Sequence, residues 1–458
     1  MKITSALDST SLTTRYPKTA LFTTLFFMVA LPFVLYLVLL LMLPFNRPEA
    51  LDAVAQRLGW DLAHSPFRDT WYGVILLVEA TFVSLYTAVF AGVTTWVERR
   101  IAGRMQSRIG PNRPGVFGFM SWVADAVKML FKEDLIPADA DRLLFRAAPY
   151  FSMVGLTLPF VVLPFGESVV VADLNVGVFY LTATSAFIVV GILVSGWASN
   201  SKWALFGAVR GAAQVVSYEI PAGIAIMVPV MMAGTLSMQG IIRAQGGWPW
   251  QWFACQNPAA FVAFFIALTA SLAEGNRTPF DLPEAESELV AGYHAEYSGF
   301  RIALFLMVEW ANMWIMGALA VTLFLGGWQI PGVSVEMINQ TRGTDVFPTL
   351  VWFGWQSASL LVFAIKTWLL VILFIWLRWT LPRVRVDQMM SLCWKYLVPG
   401  AFACFIFTLF WVMVPASVHL VSGVVISLGV ALLLVKFAQR TRKNIAQVKG
   451  ARVDLSNW

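Results

Sequence analysis

Charged residues are scarce in this chain. They make up only 13% of its 458 residues, whereas hydrophobic residues make up 59%. A soluble domain carries about 25% charged residues. Apolar runs long enough to cross a bilayer recur along the chain. The composition therefore argues against an ordinary soluble domain and predicts an all-α, polytopic integral membrane protein.

Metal-binding and nucleotide-binding patterns are also lacking. No two cysteines have the spacing of a zinc or iron–sulfur site, and there is neither a GxGxxG nor a P-loop pattern. The few cysteines and histidines are scattered: Cys255, Cys393, Cys404, His64, His294 and His419. We therefore expect no cofactor or metal on this chain, so that any redox centre belongs to a partner. The net charge of +6 does not indicate nucleic-acid binding, because the placement of the basic residues explains it better.

Ten apolar runs are long enough to be transmembrane helices, because in lipid the backbone must satisfy its own hydrogen bonds. They cover residues 20–43, 73–97, 147–166, 176–198, 210–235, 258–274, 300–326, 349–377, 396–414 and 418–437. The first run is longer than the apolar part of a signal peptide and has no small-residue cleavage site. We therefore expect it to be retained.

The basic residues give these spans a direction. With a cytoplasmic N-terminus, 26 of the 32 Lys and Arg residues fall in cytoplasmic segments. This distribution obeys the positive-inside rule. A missed span would move all later loops to the opposite side of the membrane, and the rule would then fail for them. The sequence thus predicts ten spans with both termini cytoplasmic.

A long basic loop, residues 98–146, follows the second span. Its turn Gly110-Pro111-Asn112-Arg113 breaks any helix, and apolar residues then recur at helical spacing over residues 117–132. This pattern predicts an amphipathic helix at the cytoplasmic surface, too short to span. Two interpretations stay open: a basic loop with an incidental interfacial helix, or a gate over a cavity that opens laterally to lipid.

An acidic loop, residues 274–301, is the second unusual segment. Orientation depends on Lys and Arg, so a cytoplasmic loop needs no dense group of acids. Crowded carboxylates repel one another, so we expect raised pKa values unless the cluster is simply solvated. The four carboxylates are Asp281, Glu284, Glu286 and Glu288.

Three ionisable residues lie inside predicted spans. Glu219 and Glu309 are about 13–15 Å from the cytoplasmic end of their helices, and Lys366 reaches a similar level. Each costs roughly 2.5–3.5 kcal/mol to insert. They indicate either a buried polar path or a structural Glu–Lys pair that only orients helices. Gln214 precedes Glu219 on the same helix and extends the polar face.

Four motifs carry a family resemblance. They are Glu98-Arg99-Arg100 with Gly110-Pro111-Asn112-Arg113, Ser217-Tyr218-Glu219, Asn276-Arg277-x-Pro279-Phe280-Asp281 with the three glutamates that follow, and Glu296-Tyr297-Ser298-Gly299. Together they resemble the membrane-arm H subunit of bacterial respiratory complex I, the NADH–quinone oxidoreductase, whose mitochondrial counterpart is NADH dehydrogenase subunit 1. The resemblance covers about residues 72–414.

The resemblance implies a non-redox membrane-arm subunit that forms most of a quinone chamber. Residues 72–414 would be an eight-helix core, with ubiquinone or menaquinone as the substrate. The chamber would be bordered by Glu98, Arg99, Arg104, Arg108 and Asp281. Proton coupling would involve Glu219, Glu284, Glu286 and Glu288, with Glu309 and Lys366 as weaker candidates.

The resemblance also implies partners and a location. FMN and iron–sulfur clusters would sit in other subunits of the complex. Peripheral-arm quinone-module subunits would meet the cytoplasmic loops, and small membrane subunits and lipid would surround the core. The expected location is the bacterial inner membrane, where the complex acts as a proton-pumping translocase.

The chain departs from the family pattern at both ends. Residues 1–71 add one span and an outside loop, and residues 415–458 add another span and a basic tail. Two other functions also stay open. A related membrane subunit of an energy-converting hydrogenase or formate hydrogenlyase is the first. An unrelated secondary transporter is the second, although the sequence lacks visible repeats.

Overall fold

The structure, a computed structural model, describes residues 68–413 except 114, 168, 334–336 and 338–345, together with residues 435, 436 and 439. All regular structure in these residues is helical, which confirms the all-α prediction. The predicted spans 20–43 and 418–437 fall almost entirely outside the described residues. The total of ten spans therefore stays a prediction, as do the domain boundaries at 71/72 and 414/415.

Thirteen α-helices follow one another in the described part of the chain. In order, α1 to α13 are Arg68–Met105, Ser121–Phe131, Arg142–Val162, Gly177–Ala198, Lys202–Ala233, Met238–Ala244, Phe253–Gln256, Pro258–Glu274, Glu286–Leu289, Gly299–Phe324, Val346–Thr380, Val386–Leu392 and Val398–Met413. Short 3-10 helices lie at Val116–Gly118, Pro249–Gln251 and Gly292–His294, and a π-helical segment, Cys393–Leu397, joins α12 to α13.

Six stretches of helix are long and apolar enough to cross a membrane. They are Arg142–Val162, Gly177–Ala198, Lys202–Ala233, Gly299–Phe324, Gly354–Thr380 and Val386–Met413. Pro258–Glu274 is a shorter apolar helix, and α1 covers the predicted span 73–97. The polytopic membrane class is therefore confirmed.

Small residues let the helices of the bundle approach one another closely. Gly191 of α4 packs directly on Ser152 of α3, and a Cβ at Gly155 of α3 would lie 2.8 Å from the backbone nitrogen of Ile188. A Cβ at Gly207 of α5 would lie 2.6 Å from Cα of Gly292. These contacts bring α3, α4, α5 and the acidic loop together.

The acidic loop folds into the bundle instead of projecting from it. Gln214 of α5 is fully buried, and its Nε2 donates to the carbonyls of Ala273 (2.8 Å) and Phe280 (2.7 Å) and to Oδ1 of Asn276 (3.2 Å). Gln214 lies about 18 Å along α5 from the start of that helix, so the loop begins deep between the helices. Irregular backbone at such a depth is tolerated where protein surrounds it.

The predicted amphipathic helix forms as α2, Ser121–Phe131. Trp122 and Val123 are partly buried, whereas Val127, Leu130 and Phe131 are exposed. Part of the apolar face is therefore not covered by the described residues of this chain. A position at the bilayer surface stays a prediction.

Candidate functional site

A buried group of opposite charges lies where α1, the acidic loop, α10 and α11 meet. Glu98 of α1 is 4% exposed and accepts hydrogen bonds from Nη1 of Arg277 (3.3 Å), from Nη1 of Arg378 and from Nε1 of Trp310 (2.7 Å). Nη1 of Arg277 also lies 3.2 Å from Oε1 of Glu309. Two carboxylates thus face two guanidinium groups, which compensates charge in a site where only the side chain of Arg378 is partly exposed.

Arg277 connects the acidic loop to this cluster. Its side chain is 2% exposed, and its guanidinium lies 5.8 Å from the ring centre of Trp310. An arginine buried so completely needs carboxylate partners. Glu98 and Glu309 supply them from two different helices, so Arg277 holds the loop inside the bundle.

Glu284 of the acidic loop lies next to this charge cluster. Its Oε1 accepts from the hydroxyl of Tyr293 (3.1 Å) and lies 3.6 Å from Nδ1 of His294. Burial raises the pKa of Glu284 well above its usual range, and the carboxylates of Glu309 and Asp281 raise it further, while Arg277 and the Tyr293 hydroxyl act in the opposite direction. The raised pKa was predicted from crowding, but burial is the larger cause.

Burial also acts on the neighbouring histidine. It lowers the pKa of His294 to about 3, so the ring is neutral at pH 7. The contact between His294 and Glu284 is therefore not an ion pair. Arg277 and the Tyr293 hydroxyl favour the charged form of Glu284, but burial and the neighbouring carboxylates outweigh them, so the pKa of Glu284 is raised.

The other acids of the loop face basic residues on neighbouring elements. Asp281 pairs with Arg383 (3.1 Å), and Glu288 pairs with Arg210 of α5 (2.7 Å). The side chain of Glu286 lies outside the described part of the structure. The loop acids therefore occupy different surroundings: Glu284 is largely buried, while Glu288 is half exposed.

A second group of acids lines a cavity between α4, α5, α8 and α10. The cavity has a volume of about 490 Å³, and its walls are apolar except for a few groups, among them Glu219 and Glu274. Glu274 also lines a smaller cavity that contains Glu309. Glu274 therefore lies between the charge cluster and the larger cavity.

The arginines predicted from the basic loop lie at the surface. Arg99 pairs with Asp125 of α2, and Nε of Arg108 donates to Oε1 of Gln106 (2.6 Å). Hydrogen bonds and charge from Arg99 and Lys128 outweigh the effect of burial and lower the pKa of Asp125. Arg104 is exposed. Of the predicted chamber residues, only Glu98 is fully buried.

Lys366 does not join the acids, although its predicted depth matched theirs. Its Nζ donates to the carbonyls of Leu325 (2.9 Å) and Gly327 (3.0 Å), just beyond the C-terminal end of α10. It also lies 4.7 Å from the ring centre of Trp252. The negative, C-terminal end of the dipole of α10 stabilises a cation at this position. Lys366 forms no ion pair with Glu219 or Glu309 in the described part of the chain.

Sequence reasoning did not assign roles to several residues of this site. Arg277, Arg378, Glu274 and Trp310 all contact or neighbour the predicted acids. Arg277 belongs to one of the four motifs, and Glu274 is a carboxylate at the end of an apolar run. Both positions could therefore have been selected as site candidates from the sequence. Arg378 is one of the basic residues that the positive-inside rule assigns to a cytoplasmic segment, and that rule says nothing of its pairing with Glu98.

Taken together, these features define a polytopic helical membrane protein whose buried acids run from a folded-in loop to a cavity between the helices. The family model of the NADH dehydrogenase family matches residues 77–409. The chain therefore belongs to that family, and the predicted resemblance is confirmed. The matched residues lie within the predicted range 72–414.

Several relatives share most of their length with this chain. The H subunit of the NADH-quinone oxidoreductase of Anaeromyxobacter dehalogenans is 62% identical over 389 residues, which cover 84% of this chain and 94% of the relative. The H subunits of the same enzyme from Chlorobaculum tepidum and Rickettsia canadensis are 45% and 43% identical, each over 77% of this chain and over 97% and 96% of the relative.

Proposed function

We propose that this chain is a membrane-arm subunit of a proton-pumping NADH:quinone oxidoreductase, respiratory complex I. In this role it forms the quinone chamber and couples quinone reduction to proton translocation. The names of its relatives and the family match support the assignment to this enzyme. The succession of partly buried acids Glu284, Glu309, Glu274 and Glu219 is the single observation that supports the coupling role.

The proposed mechanism begins at the loop face of the bundle. A quinone enters from the membrane past α2, and a partner subunit supplies two electrons at the headgroup. Reduction to quinol also takes up two protons, which changes the charge balance near Glu98 and the acidic loop. Glu284 then changes its protonation, because its pKa is already raised by burial. Glu309, Glu274 and Glu219 pass that change toward neighbouring membrane subunits.

The same proposal names the partners. Electrons come from FMN and iron–sulfur clusters in other subunits, and this chain carries no redox group. Peripheral-arm subunits bind at the basic loop and the acidic loop, and small membrane subunits flank the core. The complex lies in the bacterial inner membrane with the loop face on the cytoplasmic side. Ubiquinone and menaquinone both fit the proposal.

The carboxyl of Glu219 provides the test of coupling. Replacing Glu219→Gln removes the proton-carrying group but keeps its size and leaves the cavity apolar. We expect proton pumping in vesicles to fall by about tenfold, since a proton-transfer group contributes at least that much, while the assembled complex stays abundant. The measurement compares NADH-driven proton uptake with the amount of assembled complex.

The matched control for Glu219 is Asp173→Asn, which neutralises an exposed carboxyl in the loop between α3 and α4, outside the row of acids. It should pump like the parent. If Glu219→Gln pumps normally while the complex is assembled, Glu219 is not part of the coupling path.

A further inference from the structure

A proline interrupts the hydrogen bonds of α5 just after Glu219. Pro221 lies inside the helix and has no backbone N–H, so the carbonyl oxygen of Ser217 lacks the donor that an uninterrupted helix would provide at that position. Ser217 is buried. A buried carbonyl without a donor costs stability, so a donor from outside α5 is needed.

The thiol of Cys393 provides such a donor. Its Sγ lies 3.1 Å from the carbonyl oxygen of Ser217 and donates to it, and Cys393 is fully buried. Cys393 also begins the π-helical segment, where the N–H of Val398 donates to its carbonyl. π-Helical turns within longer helices are frequent at functional sites. The thiol thus takes the place of the N–H that Pro221 lacks.

A second hydrogen bond joins the same two parts of the chain. The hydroxyl of Tyr218 donates to the carbonyl of Met389 of α12 (3.1 Å), and both residues are buried. Met389 precedes Cys393 by about one helical turn, so both contacts come from one face of this region. The two residues of α5 that directly precede Glu219 are therefore both bonded to the region where α12 meets the π-helical segment.

These bonds bear on the direction of the Glu219 side chain. Oε1 of Glu219 is buried and has no hydrogen-bond partner among the described residues, and the side chain lines the larger cavity. No protein hydrogen bond in the described chain fixes this oxygen, so the backbone of α5 decides where the carboxyl points. A helix bends readily at a proline, because the missing bond removes a restraint. A contact that holds the backbone at Pro221 thus also sets the position of Glu219.

We infer that Cys393 is a positioning residue for Glu219: its thiol satisfies the carbonyl that Pro221 leaves without a donor, and so fixes the backbone of α5 next to the carboxyl. The inference rests on the proposed function, in which Glu219 belongs to the coupling path. It requires no contact between Cys393 and Glu219, and the thiol keeps its proton throughout.

The first test uses the whole complex in sealed vesicles. Cys393→Ala removes the donor, and we expect proton pumping to fall by about threefold while assembly is preserved, because a small displacement of a reacting group slows its reaction. Cys393→Ser keeps a donor of similar size and should pump like the parent. The matched control is Cys404→Ala, which removes a buried thiol of α13 and leaves the bond to Ser217 in place.

Restoring the missing N–H is the decisive test, because a merely structural role of the thiol would not respond to it. Pro221→Ala provides a donor within α5 for the carbonyl of Ser217. In that background Cys393→Ala should cause no further loss of pumping. In infrared difference spectra, the carboxyl band that Glu219→Gln removes should shift in Cys393→Ala and keep its position in Cys393→Ser and Cys404→Ala.

Three results would overturn the inference: parental pumping in Cys393→Ala, equal losses in Cys393→Ala and Cys393→Ser, or the same loss from Cys393→Ala with and without Pro221. If Cys393→Ala does not assemble, Cys393→Val takes its place, because valine fills the space of the thiol without a donor. If Cys393→Ala pumps normally while Glu219→Gln does not, the proposed function stands and only this inference fails.

Discussion

Buried charges in this bundle are held by partners from distant parts of the chain. Glu98, Arg277, Glu309 and Arg378 compensate one another where four elements meet. Burying any one of these charges alone would be costly, because transfer out of water costs several kcal/mol for each ion. The cluster is therefore a fixed arrangement of charges next to a titratable acid, Glu284.

Removing the central guanidinium tests this interpretation. Arg277→Met leaves Glu309 without its partner and should destabilise the subunit by about 3–5 kcal/mol. The loss would appear as a lower thermal unfolding temperature of the purified complex and less assembled complex in membranes. The matched control is Arg99→Met, since Arg99 forms an exposed pair and exposed pairs contribute about 0–1 kcal/mol.

A double variant separates charge from packing. Arg277→Met combined with Glu309→Gln removes the carboxylate charge that was left uncompensated, so part of the stability should return. Equal losses in Arg277→Met and Arg99→Met would contradict the importance of the buried cluster.

The sequence points to single candidate residues more readily than to their partners. Glu219 and Glu309 were selected as candidates because a carboxyl in an apolar run is conspicuous. The pairing of Arg378 with Glu98 could not be found, because the two residues are 280 positions apart and nothing in the sequence says which helices adjoin. Lys366 was grouped with the acids by its predicted depth, but its amine reaches the carbonyls of Leu325 and Gly327, roughly 24 Å along the helix direction from the level of Glu309.

At the scale of elements, the acidic loop depends on close backbone contacts. Gly292 has a φ of +55°, and a Cβ there would collide with the carbonyl oxygen of Pro283. Only glycine fits both the conformation and the space. Gly207 of α5 packs on the same residue, so this contact fixes the loop against the helix that carries Glu219.

The variant Gly292→Ala should therefore displace the loop. We expect a stability loss of about 1–3 kcal/mol from the backbone conformation alone, and a strong fall in inhibitor-sensitive quinone reduction. The control Gly354→Ala lies on α11, where a Cβ would meet nothing within 4 Å. If both variants kept the activity of the parent, the folded-in loop would not shape the chamber.

The helices themselves were predicted well from apolar runs. The predicted span 258–274 coincides with α8, Pro258–Glu274. α5 begins earlier than predicted, at Lys202, because a helix continues beyond the apolar stretch as far as its backbone bonds are satisfied. The path of the acidic loop was not predicted, since it depends on contacts such as those of Gln214 with Ala273 and Phe280.

At the scale of the whole molecule, the described helices bring the buried charge cluster and the cavity lined by Glu219 and Glu274 into the same bundle. A quinone-reducing complex and an energy-converting hydrogenase would both be compatible with that arrangement. The two differ in the subunits that bind to the loop face. The relatives' names favour the quinone enzyme.

Purification of the intact complex through a tag on this chain decides between them. We expect FMN, iron–sulfur clusters and NADH-oxidising subunits to copurify, and deletion of the gene to abolish NADH-driven, inhibitor-sensitive quinone reduction in membranes. A nickel–iron subunit without flavin would instead assign the chain to a hydrogenase. Reduction that persists unchanged after deletion would contradict the proposed function.

The position of Glu98 also has a consequence for how the chain is made. Its partners Arg277 and Arg378 follow 179 and 280 residues later, so they leave the ribosome long after Glu98 has been inserted. Until α11 is in place, this carboxyl cannot have both of its guanidinium partners. Products truncated before α11 would keep an incompletely compensated acid next to the membrane, and such chains are natural substrates for proteolysis. The charge of this carboxyl can therefore be fully compensated only after α11 has been made.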